Sequence, residues 1–172
     1  MYTKRLSFIS IIAILLIIFT IDSCQSSRAV ISKGINLPEY RYVVFGEEST
    51  GDRELDDIVL LVQNEIANHL EVVPGRKGLE LIKKGELVLT PHIHVTTEKW
   101  DGGHTYISIN FYDYNTSQSV AVIKSSGIGL TISHDQQLAL GAISKQLYRA
   151  FSTTKAESPI ERERNIKDDM YL

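Results

Sequence analysis

The sequence predicts an α+β fold: a two-layer sandwich of about four mainly antiparallel strands with two helices on one face. Two segments repeat apolar residues at spacings of three and four, which is typical of helices that bury one side. Three others alternate apolar and polar residues, which is typical of strands with one face in water. The order β-α-β-β-β-α predicts one domain over residues 40–152.

The first strand and the first helix are predicted next to each other. Residues 41–45 are rich in β-forming side chains and end at Gly46. Asp52 follows as a helix N-cap, and Pro74-Gly75 ends that helical segment. Residues 79–84 are predicted as no more than one helical turn. The apolar stripe of the helix comprises Leu55, Ile58, Val59, Val62 and Ile66.

Three strands are predicted after this helix, at residues 87–97, 105–112 and 119–124. Asp101-Gly102-Gly103 joins the first two as a hairpin turn. The segment Gly127-Ile128-Gly129 superficially resembles a phosphate loop, but it lacks a lysine and the required spacing. It is therefore interpreted as a flexible turn before the second helix.

The second helix is predicted to start at Ser133, because Gln136 stands three residues later, the spacing of a capping box. Gly141 lies within this helix and lowers its stability by about 1 kcal/mol relative to alanine, so it predicts close packing on the sheet. The apolar stripe of the helix comprises Leu140, Ile143, Leu147 and Phe151.

Residues 1–23 are predicted to be a signal peptide. Lys4-Arg5 gives the basic start, and residues 6–21 are apolar except for two serines and a threonine. A helix of that length spans about 24 Å, short of the about 30 Å of a hydrocarbon core. The positive flank keeps the first residues in the cytoplasm, so the remainder of the chain is predicted to be exported.

Ile21-Asp22-Ser23-Cys24 resembles a bacterial lipobox, with a departure at Asp22, where the family has a small uncharged residue. The resemblance implies a lipoprotein in which Cys24 is acylated, with palmitate among its lipids, and becomes the first residue. Gln25 is similar to the residues that direct enterobacterial lipoproteins to the outer membrane. Residues 24–39 are then predicted to be a tether, and residues 153–172 a solvated C-terminal tail.

Composition excludes several classes of function. The net charge is −3, and removal of Lys4, Arg5 and Asp22 would leave 16 basic and 20 acidic residues, or −4. Such a surface has no general attraction for nucleic acid. A single cysteine permits neither an internal disulfide nor a cysteine-cluster zinc site.

The predicted domain is similar to a group of envelope lipoprotein domains. Residues 111–116, Phe-Tyr-Asp-Tyr-Asn-Thr, resemble a turn of that group, with Ser117 where glycine is expected, and residues 139–150 resemble its final alanine-rich helix. The group includes the N-terminal domain of TolB, the curli-secretion lipoproteins and the penicillin-binding-protein activator lipoproteins. This resemblance implies a non-catalytic adaptor of the cell envelope.

Two sets of side chains are candidate sites. His92 and His94 leave the same face of one predicted strand, and with His104 from the facing arm they could bind a metal ion. The other interpretation of these histidines is a set of polar residues on a wet sheet face. Trp100, Tyr106, Tyr112 and Tyr114 cluster around the hairpin, and they indicate either a protein interface or cross-strand packing.

No nucleophile or cofactor motif is present, so the favoured hypothesis is a non-enzymatic lipoprotein that is held on the membrane and binds an envelope protein. The alternative is a periplasmic lipoprotein that binds a metal ion or a small ligand through the three histidines. A third possibility is an assembly subunit that oligomerises, as the curli-secretion resemblance suggests. The sequence specifies neither the partner nor the oligomeric state.

Overall fold

The computed structural model describes residues 24–98, 103–129 and 131–152. The predicted signal peptide, Trp100 and the predicted C-terminal tail lie outside these residues. Within the described ranges, no helix has the length and apolar character needed to cross a bilayer.

The described residues form six strands and three α-helices. The helices are α1 (Arg53–Ala67), α2 (Gly75–Lys83) and α3 (Ile132–Phe151), and a short 3-10 helix covers Leu37–Glu39. The strands are β1 (Cys24–Ile31), β2 (Tyr42–Val43), β3 (Glu71–Val72), β4 (Val88–Glu98), β5 (His104–Asp113) and β6 (Ser119–Ile128).

All six strands join one mixed sheet in the order β1-β6-β5-β4-β2-β3. The pairs β1–β6, β6–β5 and β5–β4 are antiparallel, whereas β2 pairs in parallel with both β3 and β4. The predicted α+β sandwich is confirmed. The predicted number of strands was too low, because β1 has a polar sequence and β3 contains only two residues.

The segment predicted as a tether instead begins with a strand. Every residue of β1 pairs with β6, from Cys24 opposite Ile128 to Ile31 opposite Ala121. Ala29 packs against the main core, and the side chain of Ser27 accepts a hydrogen bond from Gln146 of α3. These inward contacts use alternate residues, so a strand forms although residues 25–28 are all polar. Cys24 is therefore joined directly to the sheet.

The main core lies between the sheet and helices α1 and α3. The stripe predicted for α1 is buried at Ile58, Val59, Val62 and Ile66. Asp52 caps this helix as expected, its carboxylate accepting from the Glu54 amide at 2.9 Å. The two helices thus cover one face, as predicted. Large side chains that are fully buried include Phe111, Leu37, Ile66, Leu89, Ile107, Ile109, Ile123, Ile143 and Leu147.

Helix α2 covers the opposite face at one end of the sheet. It starts at Gly75, where the sequence predicted the end of a helix, and it runs for nine residues rather than one turn. A Cβ atom at Gly78 would lie 2.7 Å from Val44, so the glycine lets the helix approach the strands. The small second core beneath α2 contains Val44, Val73 and Val88, with Tyr42, Leu81, Ile82 and Tyr114 at its edge.

Helix α3 begins one residue earlier than predicted, at Ile132. Its N-cap is Thr131, whose hydroxyl accepts from the His134 amide. Gln136, expected in a capping box with Ser133, instead donates to the carboxylate of Glu54 across the helix layer. Gln136 thus makes a tertiary hydrogen bond instead of the local capping-box contact, and this bond connects the start of α3 to the start of α1.

The two glycines interpreted from the sequence have other roles. Gly127 is a buried residue of β6 rather than part of a flexible turn. A Cβ there would lie 2.7 Å from the backbone nitrogen of Ala139, so β6 and α3 touch at this point. Gly141 is exposed with open space around it, and the predicted close packing at this position was wrong.

Candidate functional site

One face of the antiparallel strands has no helix over it in the described part of the chain, apart from α2 at the end that carries Val88. Strand residues alternate between this face and the main core, so its side chains are those of alternate positions in register. We call this surface the open face. It consists of Cys24, Ser26, Arg28, Val30, Thr90, His92, His94, Thr96, Glu98, His104, Tyr106, Ser108, Asn110, Tyr112, Val122, Lys124, Ser126 and Ile128.

A cleft of about 760 Å³ lies where the open face meets the loop that precedes α1. Its lining includes loop residues 47–50 on one side and His92, His94 and Tyr112 on the other. The His92 and Tyr112 rings meet edge to face at 5.1 Å. Asn110 donates to the Tyr112 hydroxyl at 2.6 Å, which holds the ring against the sheet.

The loop wall of the cleft is ordered by Asp56 of α1. The Asp56 carboxylate accepts from the Thr50 amide at 2.7 Å, from the Thr50 hydroxyl and from the Ser49 hydroxyl. The hydrogen bond from the Thr50 amide has the largest effect on the pKa of Asp56 and lowers it below its usual range. The bond from the Thr50 hydroxyl lowers it further. The carboxylate is therefore charged when it holds the loop beside β4.

Glu48 closes the base of the cleft, and sequence reasoning did not identify it. Its Oε1 accepts from the Ile93 amide at 2.9 Å, on the edge of β4 that β2 leaves unpaired. Its Oε2 is buried without a partner among the described residues. Burial raises the pKa of Glu48 above its ordinary value, and the bond from Ile93 opposes this shift. A glutamate in a polar loop carries no sequence signal for this role.

The three candidate histidines share the open face, but they do not converge. His92 and His94 lie two residues apart on β4. His104 lies opposite Glu98, whereas His94 lies opposite Ser108, so His104 is four residues along β5 from the position that faces His94. His104 instead pairs with the Tyr106 hydroxyl at 3.1 Å. The described residues contain no group of three or more His, Cys, Asp or Glu side chains that could hold a metal ion.

The aromatic candidates fall into three environments. Tyr106 is 42% exposed on the open face, and Tyr112 is partly buried beside the cleft. Tyr114 lies beneath α2, where it packs against Gly75 and Gly78 in the second core. The predicted cluster therefore separates: Tyr106 and Tyr112 lie on the open face, Tyr114 helps to hold α2, and Trp100 is outside the described residues.

Cys24 is exposed at the start of β1, on the open face and opposite Ile128. The next outward residue of the strand is Ser26, whose hydroxyl bonds that of Ser126 at 2.8 Å. This bond and the pairing of the backbones fix the position of Cys24 at one end of the sheet. A group attached to its sulfur would leave from the edge of the open face.

No family model matches the chain, and no curated protein matches it. Among solved structures, it is similar to a dodecamer of PelC from Paraburkholderia phytofirmans, with 11% identity, a TM-score of 0.45 and coverage of 77% of this chain and all of that one. A variant of the same protein gives 11% identity, a TM-score of 0.48 and coverage of 76% and 100%. A PDZ domain protein from Parabacteroides distasonis gives 10% identity, a TM-score of 0.46 and coverage of 80% of this chain and 38% of that one.

Proposed function

We propose that this protein is a non-enzymatic lipoprotein of the cell envelope that is anchored through Cys24 and binds a partner protein on its open face. The observation that carries the proposal is the place of Cys24. The single cysteine ends a lipobox-like motif and is also exposed on an edge strand of the sheet. With no tether, the lipid would hold the domain at the membrane surface, and the outer membrane is the proposed location.

The open face suits a binding role because it combines a protruding tyrosine with polar groups. Tyrosine supplies a large contact area and a hydroxyl, and it is enriched at protein interfaces. Tyr106 lies opposite Thr96 in a row of the β4–β5 side of this face, with no helix of the described part above it. The partner we propose is another envelope protein that packs on this row.

Acylation is tested by metabolic labelling with a palmitate analogue. Wild type and Cys24→Ala are compared, with Ser26→Ala as a control on the same strand and face. We expect label in wild type and in the control, and none in Cys24→Ala, because the thiol is the only acceptor of a thioether-linked lipid. Label that persists in Cys24→Ala would overturn the proposed anchor.

Partner binding is tested with a photo-crosslinking amino acid at Tyr106. The matched control places it at Tyr148 of α3, an aromatic residue that is 63% exposed on the other side of the molecule. We expect one discrete crosslinked product in intact envelopes from position 106 and none from position 148. Equal products from both positions, or none from either, would contradict binding through the open face.

A second candidate function is binding of a small ligand or a single metal ion in the cleft. The cleft volume and the paired His92 and His94 favour it over other places on the surface. Titration with Zn²⁺ or Cu²⁺ would show stoichiometric binding and a higher melting temperature. The effect should be lost in a His92→Ala/His94→Ala variant and kept in His104→Ala. Unchanged stability of the wild type would remove this candidate.

A further inference from the structure

Two cations face each other on the open face, and neither has a counter-ion among the described residues. Arg28 of β1 and Lys124 of β6 are directly opposed in register, and both are exposed. Like charges in that position destabilise a strand pair. No described carboxylate forms an ion pair with either side chain. The protein has a negative net charge, yet two positive charges lie side by side here, where they do not stabilise the fold.

A shallow hollow lies at this pair. It has a volume of about 260 Å³ and is lined by Arg28, Lys124, Val30 and Val122. The two valines are opposed in the next row of the same two strands, and Val30 is 52% exposed. Cations beside an exposed apolar surface match the boundary between phosphate headgroups and acyl chains.

The hollow and Cys24 lie on the same side of the same strand. Cys24, Ser26, Arg28 and Val30 alternate with inward residues, so all four project from the open face. Arg28 is four residues from Cys24, about 14 Å along an extended strand. A lipid on Cys24 would therefore bring the hollow to the bilayer, provided that the β1–β6 side of the face lies flat on it.

We propose that the β1–β6 side of the open face is a membrane-contact surface that binds the phosphate headgroups of anionic lipids through Arg28 and Lys124. This inference rests on the proposed anchoring at Cys24. Because the rest of the protein is acidic, an anionic bilayer repels other orientations and selects this one. Tyr106 and the cleft lie towards β5 and β4, on the side of the face that remains open to a partner.

In the test, the protein is attached to vesicles by chemical coupling of Cys24 instead of by acylation in the cell. Every described helix and strand lies at or after Cys24, so the chain from residue 24 onward carries the whole described fold. Its only cysteine is coupled to a maleimide lipid in vesicles of phosphatidylcholine or of phosphatidylcholine with phosphatidylglycerol. Lysines are then modified with an amine-reactive ester, and the rate at each lysine is read by mass spectrometry. Lys83 and Lys84 of the α2 region are internal controls.

We expect Lys124 to react about fivefold more slowly on the anionic vesicles than on the neutral ones, the effect of one basic side chain held at an anionic surface. High salt should remove the difference, and Arg28→Gln should reduce it. A Lys83→Gln/Lys84→Gln variant, which also loses positive charge, should leave it unchanged.

Equal reaction of Lys124 on both kinds of vesicle would overturn the inference. Protection by inorganic phosphate in the absence of vesicles would also overturn it, because the site would then bind a free anion. Protection that appears only when an envelope protein is added would assign the pair to a protein partner instead. Because Cys24 is coupled chemically, the result does not depend on palmitate labelling. The proposed acylation and the proposed membrane-contact surface can therefore be rejected separately.

Discussion

Ser117 occupies a backbone conformation that favours glycine. It has a φ of +57° in the turn between β5 and β6. The turn is held by Asp113, whose carboxylate accepts from the Thr116 amide at 2.8 Å and the Asn115 amide at 3.1 Å. The turn thus imposes the left-handed conformation, at a cost of roughly 1–2 kcal/mol for a residue with a side chain.

We therefore expect Ser117→Gly to stabilise the protein by up to about 1 kcal/mol, since part of the gain is offset by the flexibility of glycine in the unfolded chain. The free energy of unfolding in urea measures it. Ser133→Gly, at an ordinary helical position, should lower stability and serves as the control. A loss of stability in Ser117→Gly would show that the turn differs from the one described.

Glu48 gives the site a pH dependence with a definite sign. Its pKa is raised in the folded protein, so the folded state binds its proton more tightly than the unfolded chain does. Ionisation of Glu48 therefore opposes folding at neutral pH. The penalty is relieved as the pH falls through the pKa of the folded state. The Ile93 amide requires an acceptor at this place, but not a charge.

Replacing Glu48 by Gln should keep the acceptor and remove the penalty. We expect Glu48→Gln to be more stable than wild type at pH 7, by less than about 1 kcal/mol because the carboxylate is partly solvated, and the advantage should vanish in acid. Thermal unfolding at the two pH values measures this. Glu47→Gln removes a charge from the exposed neighbour and is the control. An advantage of Glu48→Gln that persists unchanged in acid would contradict the account.

Among the elements, strand β6 and helix α3 each contain a glycine, and the two glycines have opposite roles. Gly127 faces the α3 backbone, and Ser125 donates to the Ala139 carbonyl at 2.8 Å beside it. Gly141 faces open space. We expect Gly127→Ala to destabilise the protein by about 2 kcal/mol or more through overpacking. Gly141→Ala should stabilise it by about 1 kcal/mol through helix propensity. Urea denaturation of both variants measures the contrast, and effects of the same sign would contradict the contact.

Substitutions on the inward and outward sides of strand β1 test whether this segment forms a strand. Ala29 is partly buried against the main core, whereas Val30 projects from the open face. Ala29→Gln should place an unpaired amide in the core and destabilise the protein by about 1–3 kcal/mol. Val30→Gln should change stability by less than about 0.5 kcal/mol. A flexible tether would tolerate both substitutions equally, so equal melting temperatures would exclude the strand.

The elements that sequence reasoning found are those whose periodicity is local. The stripe of α1 and the alternation in β4 and β5 follow from burial of one side of each element. Strand β1 was missed because its stability comes from β6, about a hundred residues away, and because residues 25–28 are all polar. Helix α2 was predicted as one turn only, because Gly75 and Gly78 are poor helix formers; they allow close contact with Val44 and Tyr114 instead.

The candidate site was predicted in part for the same reason. The alternation of β4 and β5 placed His92, His94, Tyr106 and Tyr112 on one face, and the structure has them there. Glu48 and the loop before α1 could not be predicted, because their position depends on the unpaired edge of β4. The register of β4 and β5 decides that His104 stands apart from the other two histidines, and no spacing in the sequence reveals it.

At the scale of the whole molecule, the sheet separates three surfaces. Its inner face is covered by α1 and α3, and α2 covers the far end of the other face beside β2 and β3. The remainder, the open face, runs from the cleft at β4 to Cys24 at β1. We propose that the β1 side of this face lies on the membrane and that the β4 and β5 side binds the partner.

The measurement that tests the central claim most directly is the intact mass and N-terminal peptide of the protein isolated from envelopes. The account predicts a chain that begins at Cys24, with a mass increased by lipid on that first residue. Cys24→Ala should lack this added mass, because it has no thiol to acylate. A chain that begins at Met1, or an unmodified Cys24 within a longer chain, would contradict the account.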